Sequence, residues 1–312
     1  MATIDKLYLV TLTRNKDNAE TDAGSLNVTI NIDGTDVNDM QFGFMSSSGW
    51  FSDIGPDDAW LDEGQAAISG SGFKNAGVPV QNIFDTSRLT NSSIRVGIRS
   101  DDAWSPQHLM LLGNIPADPK RPTEVVALGL ETDINNSLST DSSEGKLTMP
   151  LRLVSSGNDS TVINRVMLLV YTAGDNDTQT DSPVQLQITA NGGLAVQQQI
   201  PDTPQDDFEG YTGNWYFVNA LTPFTRGQIR SNGGIELSIL GTDAWVPSLL
   251  FLFGLDTKTG RPNAVVPLVS IPDWNLGTLS TDSEEGNGTV NLPLVGISSF
   301  TQVNTNATTL EV

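Results

Sequence analysis

Oxygen ligands are concentrated in a few short stretches of this chain. Asp17, Asn18, Glu20 and Asp22 fall within six residues, and Asp175, Asn176, Asp177 and Asp181 within seven. Asp101 and Asp102 precede Ala103-Trp104, and Asp243 precedes Ala244-Trp245. Such groups suit Ca²⁺, which takes six to eight oxygens from carboxylates, amides and backbone carbonyls. If the loops converge, their carboxylates repel by about 1 kcal/mol per pair at 4 Å even in bulk water, and a cation reverses that sign. The competing reading is structural: Asp and Asn side chains hydrogen-bond the backbone of turns. The spacing is not that of an EF-hand, which needs a central Gly and a terminal Glu.

The aromatic residues supply a second kind of contact. Trp104 and Trp245 can act as apolar tips at a membrane interface, or pack over the end of their own core, where a large ring at a strand entrance is usually buried. Trp50, Phe51 and Trp60 are the more exposed candidates, and Trp60 follows Asp57-Asp58-Ala59, a further Asp-Asp-Ala-Trp string. Catalytic signals are weak. Asp141/Asp282 and Glu144/Glu285 are paired carboxylates of the kind glycosidases use, but they lie in Ser-Thr-Asp-rich loops typical of turns. The single histidine, His108, opens an apolar run and reads as a strand-edge residue. With no cysteine, thiolate nucleophiles, disulfides and cysteine metal sites are excluded. No phosphate-binding Gly loop, His-based metal motif or nucleophile elbow is present.

The elements that must position these residues occur twice. Asp102-Ala103-Trp104 recurs 141 residues later as Asp243-Ala244-Trp245, and Leu138-Ser139-Thr140-Asp141-Ser142 as Leu279-Ser280-Thr281-Asp282-Ser283. Ile94, Val96 and Ile98 are matched by Ile235, Leu237 and Ile239 in the same register. Both halves open with an apolar run (Leu7 to Leu12; Met167 to Tyr171), a polar loop, and an alternating strand (Leu26 to Ile32; Val184 to Ile188), here about 159 residues apart. The first half therefore carries some 18 extra residues, placed between Ser46 and Gly64. After Gly113 and Gly254 come two extensions, Asn114–Val154 and Leu255–Val295, whose apolar runs (Val125 to Leu128; Val265 to Leu268) must be buried somewhere. Short alternating strands broken by Gly, Asn, Asp and Ser predict antiparallel sandwiches. The expected division is 1–155 and 162–312, joined by a polar linker over Ser155 to Thr161.

The order of these segments resembles the PLAT/LH2 family (polycystin-1, lipoxygenase, alpha-toxin). The second half matches at Thr180-Asp181-Ser182, Asp206-Asp207-Phe208-Glu209-Gly210, Ile235 to Ile239 and Asp243-Ala244-Trp245. The first matches at Thr21-Asp22-Ala23 and Ser100-Asp101-Asp102-Ala103-Trp104, with Trp60-Leu61-Asp62-Glu63-Gly64 a looser fit. The resemblance covers roughly 110 to 120 residues of each half and omits the extensions. It implies an all-β chain of two tandem PLAT/C2-like sandwiches related by duplication, each of two four-stranded sheets. It also implies adaptor binding to a membrane or partner protein, sometimes through Ca²⁺. In a C2-like geometry Asp101, Asp102 and Asp243 would be the second ligand group.

Composition sets the limits. Sixteen basic residues face 37 acidic ones, a net charge of -21, and that field repels nucleic acid and anionic headgroups. No apolar run approaches the roughly 18 residues of a spanning helix. Met1 to Asp5 lacks the basic and apolar regions of a signal peptide, so the expected location is soluble, either cytoplasmic or released by a route without a signal peptide. The chain reads as a non-enzymatic binding or adaptor protein, engaging a lipid surface or partner protein through loops at one end of each sandwich with assistance from Ca²⁺. The alternatives are a self-associating structural component and a lipid- or glycan-acting hydrolase.

Overall fold

The computed structural model describes residues 3–14, 25–32, 34–43, 64–69, 78–85, 88–89, 92–98, 103–117, 123–172, 178–200, 208 and 213–296. The first half contains β1 (Thr3–Thr13), β2 (Ser25–Ile32), β3 (Thr35–Gly43), β4 (Gly64–Ser69), β5 (Val78–Asp85), β6 (Ser92–Ile98), β7 (Pro106–Ile115), β8 (Glu124–Glu131) and β9 (Thr148–Leu151). A short strand, β10 (Ser155–Ser156), lies at the joint. The second half contains β11 (Val162–Thr172), β12 (Val184–Ala190), β13 (Gly193–Ile200), β14 (Gly213–Thr225), the helix α1 (Arg226–Asn232), β15 (Gly234–Ile239), β16 (Pro247–Leu255), β17 (Ala264–Ile271) and β18 (Thr289–Asn291).

The chain is all-β, as its patterning predicts, and its sheets are antiparallel apart from the β10–β17 pair. Two outer four-stranded sheets, β3-β2-β6-β9 and β13-β12-β15-β18, flank one ten-stranded inner sheet to which both halves contribute. The two kinds of strand follow from the two kinds of sequence. The alternating strands β2 and β12 bury one face: Leu26, Val28 and Ile30 are inside, as are Val184, Leu186 and Ile188. The continuous apolar runs bury both. In β1, Leu7 and Leu9 pack under the first outer sheet, while Tyr8, Val10 and Leu12 face the other way into a third core. That central core joins the halves: Met167, Leu169, Phe251 and Phe253 meet Tyr8, Val10 and Met110 there, and the Tyr8 and Phe251 rings pack edge to face at 5.7 Å.

The extensions are integral to both sandwiches. β8 pairs with β7 and β17 with β16 on the inner sheet, and the chain then crosses to add β9 beside β6 and β18 beside β15 on the outer sheets. One strand of each sheet in each half thus comes from the extension. Gly113 and Gly254 precede them because a β-carbon there would meet Ile4 Cδ1 at 2.8 Å or Ile163 Cδ1 at 2.5 Å.

The expected linker is not a free tether. Leu130 N donates to Arg152 O and Val154 N to Leu128 O, after which Ser155 N donates to Asn263 O and Gly157 N to Val265 O. Residues 152–157 therefore hydrogen-bond β8 on one side and β17 on the other, and the inner sheet returns on itself. Asp159 then pairs with Arg226 and with Arg230, at 3.3 Å, both on α1.

The extra residues of the first half fall in two places. β1 and β11 correspond at an offset of 159, β4 and the start of β14 at 147, and β5 and the end of β14 at 140. Part of the insertion precedes Gly64, as expected. The rest lies between Ser69 and Val78 and splits into two strands what is one strand in the second half.

The candidate loop end

Trp104 and Trp245 stand at equivalent places and are fully buried. Trp104 Nε1 donates to Thr13 Oγ1 at 3.0 Å and Trp245 Nε1 to Thr172 Oγ1 at 3.1 Å. Each threonine ends the opening strand of its half. Burial removes both rings as exposed binding tips, and they act instead as pillars closing one end of each core. The threonines carried a sequence signal, a hydroxyl at the end of each opening apolar run, 159 residues apart.

The Leu-Ser-Thr-Asp-Ser loops clasp these pillars. Trp104 N donates to Leu138 O and Leu138 N to Trp104 O at 2.8 and 2.7 Å, and Trp245 and Leu279 repeat the exchange at 2.8 and 2.9 Å. Within the loops, Asp141 Oδ1 accepts from Ser143 N and Ser143 Oγ, and Asp282 Oδ1 accepts from Glu284 N. Ser139 Oγ donates to Glu144 Oε2 and Ser280 Oγ to Glu285 Oε2. The hydrogen bonds from Ser143 hold the Asp141 carboxyl below its ordinary range. Each carboxylate pair is committed to its own turn.

Around Trp245 the loop after β11 and the Asp-Ala-Trp turn lie side by side. Asp181 N donates to Asp243 Oδ2 at 3.0 Å, Val246 N to Thr178 O at 2.9 Å, and Thr180 Oγ1 to Asp243 O. Asp181 and Asp243, both exposed, are thus brought together, with one Asp243 oxygen turned to the backbone. Among the described residues no three acidic or histidine side chains converge as a metal site would require. Asp17, Asn18, Glu20, Asp22, Asp101, Asp102, Asp175, Asn176, Asp177, Trp50, Phe51 and Trp60 lie outside the described residues.

The Phe208 of the acidic segment is fully buried against Trp245, with ring centroids 4.8 Å apart, and its amide donates to Asn214 Oδ1. Its φ of 63° is rare for an aromatic residue, and packing against the pillar holds it there. His108 is not an edge residue. It is buried, its Nδ1 accepts from Asp133 N, and its ring packs against Trp215 and Phe217 of the other half.

The opening strands of the two halves end on one row of the inner sheet. Leu12, Ala66, Gly213 and Tyr171 form one cross-strand row over β1, β4, β14 and β11. Three interstrand steps separate Leu12 from Tyr171, no more than about 14 Å. Because all three pairings are antiparallel, Thr13 and Thr172 follow on opposite sides of this row, and Gly64, two residues from Ala66, lies on the Thr13 side. The loop after β1 and the end of the insertion therefore leave the row together, and the loop after β11 leaves it in the opposite direction.

No protein-family profile, curated protein or solved structure matches this chain. No helix among the described residues is long and apolar enough to cross a membrane.

Proposed function

We propose that the chain is a non-catalytic binding protein, formed by duplication of a PLAT-like sandwich, that binds through the loop end of each half. The observation that carries this reading is the packing of the loop after β11 on the Asp-Ala-Trp turn, which sets the exposed Asp181 and Asp243 beside each other. In the first half, Asp22 and the insertion with Trp50, Phe51 and Trp60 supply acidic and aromatic residues. Its target in this reading is a lipid surface. The net charge of -21 opposes approach to anionic headgroups, so Ca²⁺ held by the carboxylates is needed to bridge them, after which the aromatic rings enter the interface.

The experiment is flotation of the full chain with phosphatidylcholine–phosphatidylserine vesicles, with and without millimolar Ca²⁺, alongside calorimetry with Ca²⁺ alone. Expected are Ca²⁺ heat, Ca²⁺-dependent flotation, and loss of both in Asp22→Ala and Asp181→Ala. Absence of heat and of any shift in melting temperature overturns the metal claim. Failure to float in either buffer overturns the lipid reading, and a concentration-dependent oligomer without vesicles supports self-association instead.

A further inference from the structure

At the end of the inner sheet away from the pillars, the two halves differ in a way packing does not explain. In the second half, Arg165, Leu255 and Val265 form one cross-strand row over β11, β16 and β17. Leu255 is buried in the central core. The equivalent row of the first half is Lys6, Asn114 and Val125. An asparagine thus stands where its counterpart is a core leucine. Asn114 is 5 % exposed, its Nδ2 donates to Asp5 Oδ1 at 2.7 Å, and its Oδ1 is buried without a hydrogen-bond partner. An unsatisfied buried acceptor is destabilising.

Lys6 is the residue directly across from Asn114. Opposed residues of an antiparallel pair have β-carbons about 5 Å apart on one face, within the span of a lysine stem. Lys6, Asn114 and Asp5, the last hydrogen-bonded to the carboxamide, therefore occupy neighbouring positions at the edge of the central core. We propose that Lys6 and Asn114 form an intramolecular amide cross-link between β1 and β7, with Asp5 as the proton carrier.

The chemistry balances without an oxidant or cofactor. The Lys6 ammonium gives a proton to the Asp5 carboxylate. The neutral Nζ attacks Asn114 Cγ, and Asp5 holds the carboxamide in place and returns its proton to the departing nitrogen. The Cγ–Nδ2 bond breaks, an Nζ–Cγ amide bond remains, and the Asn114 nitrogen leaves as ammonium with the protons lost from Lys6. The second half cannot do this, because Asn164, Arg165 and Leu255 occupy the corresponding positions. The bond would tie the opening strand to the strand that follows the first pillar.

The test is the intact mass of the denatured full chain, with a proteolytic map. The expected wild-type mass falls short of the sequence mass by one ammonia, and digestion yields a branched peptide joining Lys6 to Asn114. Lys6→Arg, which keeps the charge, and Asp5→Asn should fold, as judged by near-ultraviolet circular dichroism, and show the full mass. A folded wild type at full mass with separate Lys6 and Asn114 peptides overturns the proposal. So does a deficit that maps elsewhere, such as to Asn191-Gly192.

Discussion

Ala66 of β4 pairs directly with Gly213 of β14, and the two hold the same position in their respective halves, opposite Leu12 and Tyr171. The pairing continues on one side through Gln65–Asn214 and Gly64–Trp215, so the ladder of β4 and β14 includes a pair of equivalent residues. That is the pattern of an isologous interface, in which one surface meets its own copy about a two-fold axis. Here both copies belong to one chain, and the axis directs the two loop ends to opposite sides of the row.

The central core makes a mechanical prediction from this symmetry. Phe251 of the second half is fully buried against Tyr8 of the first. Phe251→Ala should destabilise the protein by about 3–5 kcal/mol. Because the cavity opens between the halves, hydrogen exchange should accelerate in β1 and β7 as well as in β11 and β16. Protection lost in the second half alone would show that the halves unfold independently.

The pillars predict matched behaviour. Trp104→Phe and Trp245→Phe each remove one buried hydrogen bond and leave Thr13 or Thr172 unsatisfied, costing about 1–3 kcal/mol. Replacement by Ala should cost about 3–5 kcal/mol. Chemical denaturation of the four variants checks the values. A near-zero cost for both alanine variants would contradict the buried geometry.

Much of this arrangement was legible in the sequence, and for physical reasons. Period-two alternation in Leu26 to Ile32 and Val184 to Ile188 reports strands with one buried face, and the shared 141-residue register places Trp104 and Trp245 at equivalent positions. The extensions are ordered, as Val125 to Leu128 and Val265 to Leu268 require. What local patterning does not encode is partnership between distant strands. Leu7 to Leu12 is apolar on both faces because a second core lies behind it, but the run itself does not say that this core belongs to the other half. Ser155 to Thr161 has the composition of a linker, and its order comes from β8, β17 and α1, which are far away in sequence. His108 appears as an edge residue for the same reason, since its neighbours Trp215 and Phe217 lie more than a hundred residues on. The carboxylates of the Ser-Thr-Asp loops could not be assigned from residue type alone, because a catalytic carboxylate and a turn-forming Asp look the same until the hydrogen bonds are seen.

The clasping loops depend on two glycines. A β-carbon at Gly145 would lie 2.7 Å from Ser137 O, and one at Gly286 would collide with Thr278 O. Gly145→Ala and Gly286→Ala should each force the loop away from its pillar and lower the melting temperature to a similar extent. The indole fluorescence of the protein should shift as solvent reaches the ring. Unchanged fluorescence and melting in both variants would show that the loops do not seal the cores.

Two carboxylates at the joint should titrate in opposite senses. Burial works against the Asp159 charge, but the hydrogen bonds and positive charges of Arg226 and Arg230 outweigh it and hold its carboxyl below 3.8. Its contribution to stability is therefore present above that value and lost as pH falls through the lower folded-state value. Asp159→Asn leaves the buried Arg226 guanidinium without its anion. The expected cost at pH 7 is about 1–2 kcal/mol, kept modest because Asp159 is one-third exposed and screened by solvent. That difference from wild type should shrink as the pH drops toward 3. Glu131 behaves the other way. Burial pushes its carboxyl above 4.5, opposed by Arg261, at 3.3 Å, and by Arg152. The protonated form is favoured in the folded state, so its stabilising contribution is full below 4.5 and lost as pH rises through the raised value. Glu131→Gln should accordingly be tolerated at pH 7 and should remove a gain that wild type shows on mild acidification. Urea unfolding of the wild type and both variants at pH 7, 5 and 3 separates the two effects. A cost for Asp159→Asn that grows on acidification, or a Glu131→Gln protein whose pH dependence matches wild type, would contradict the assigned signs.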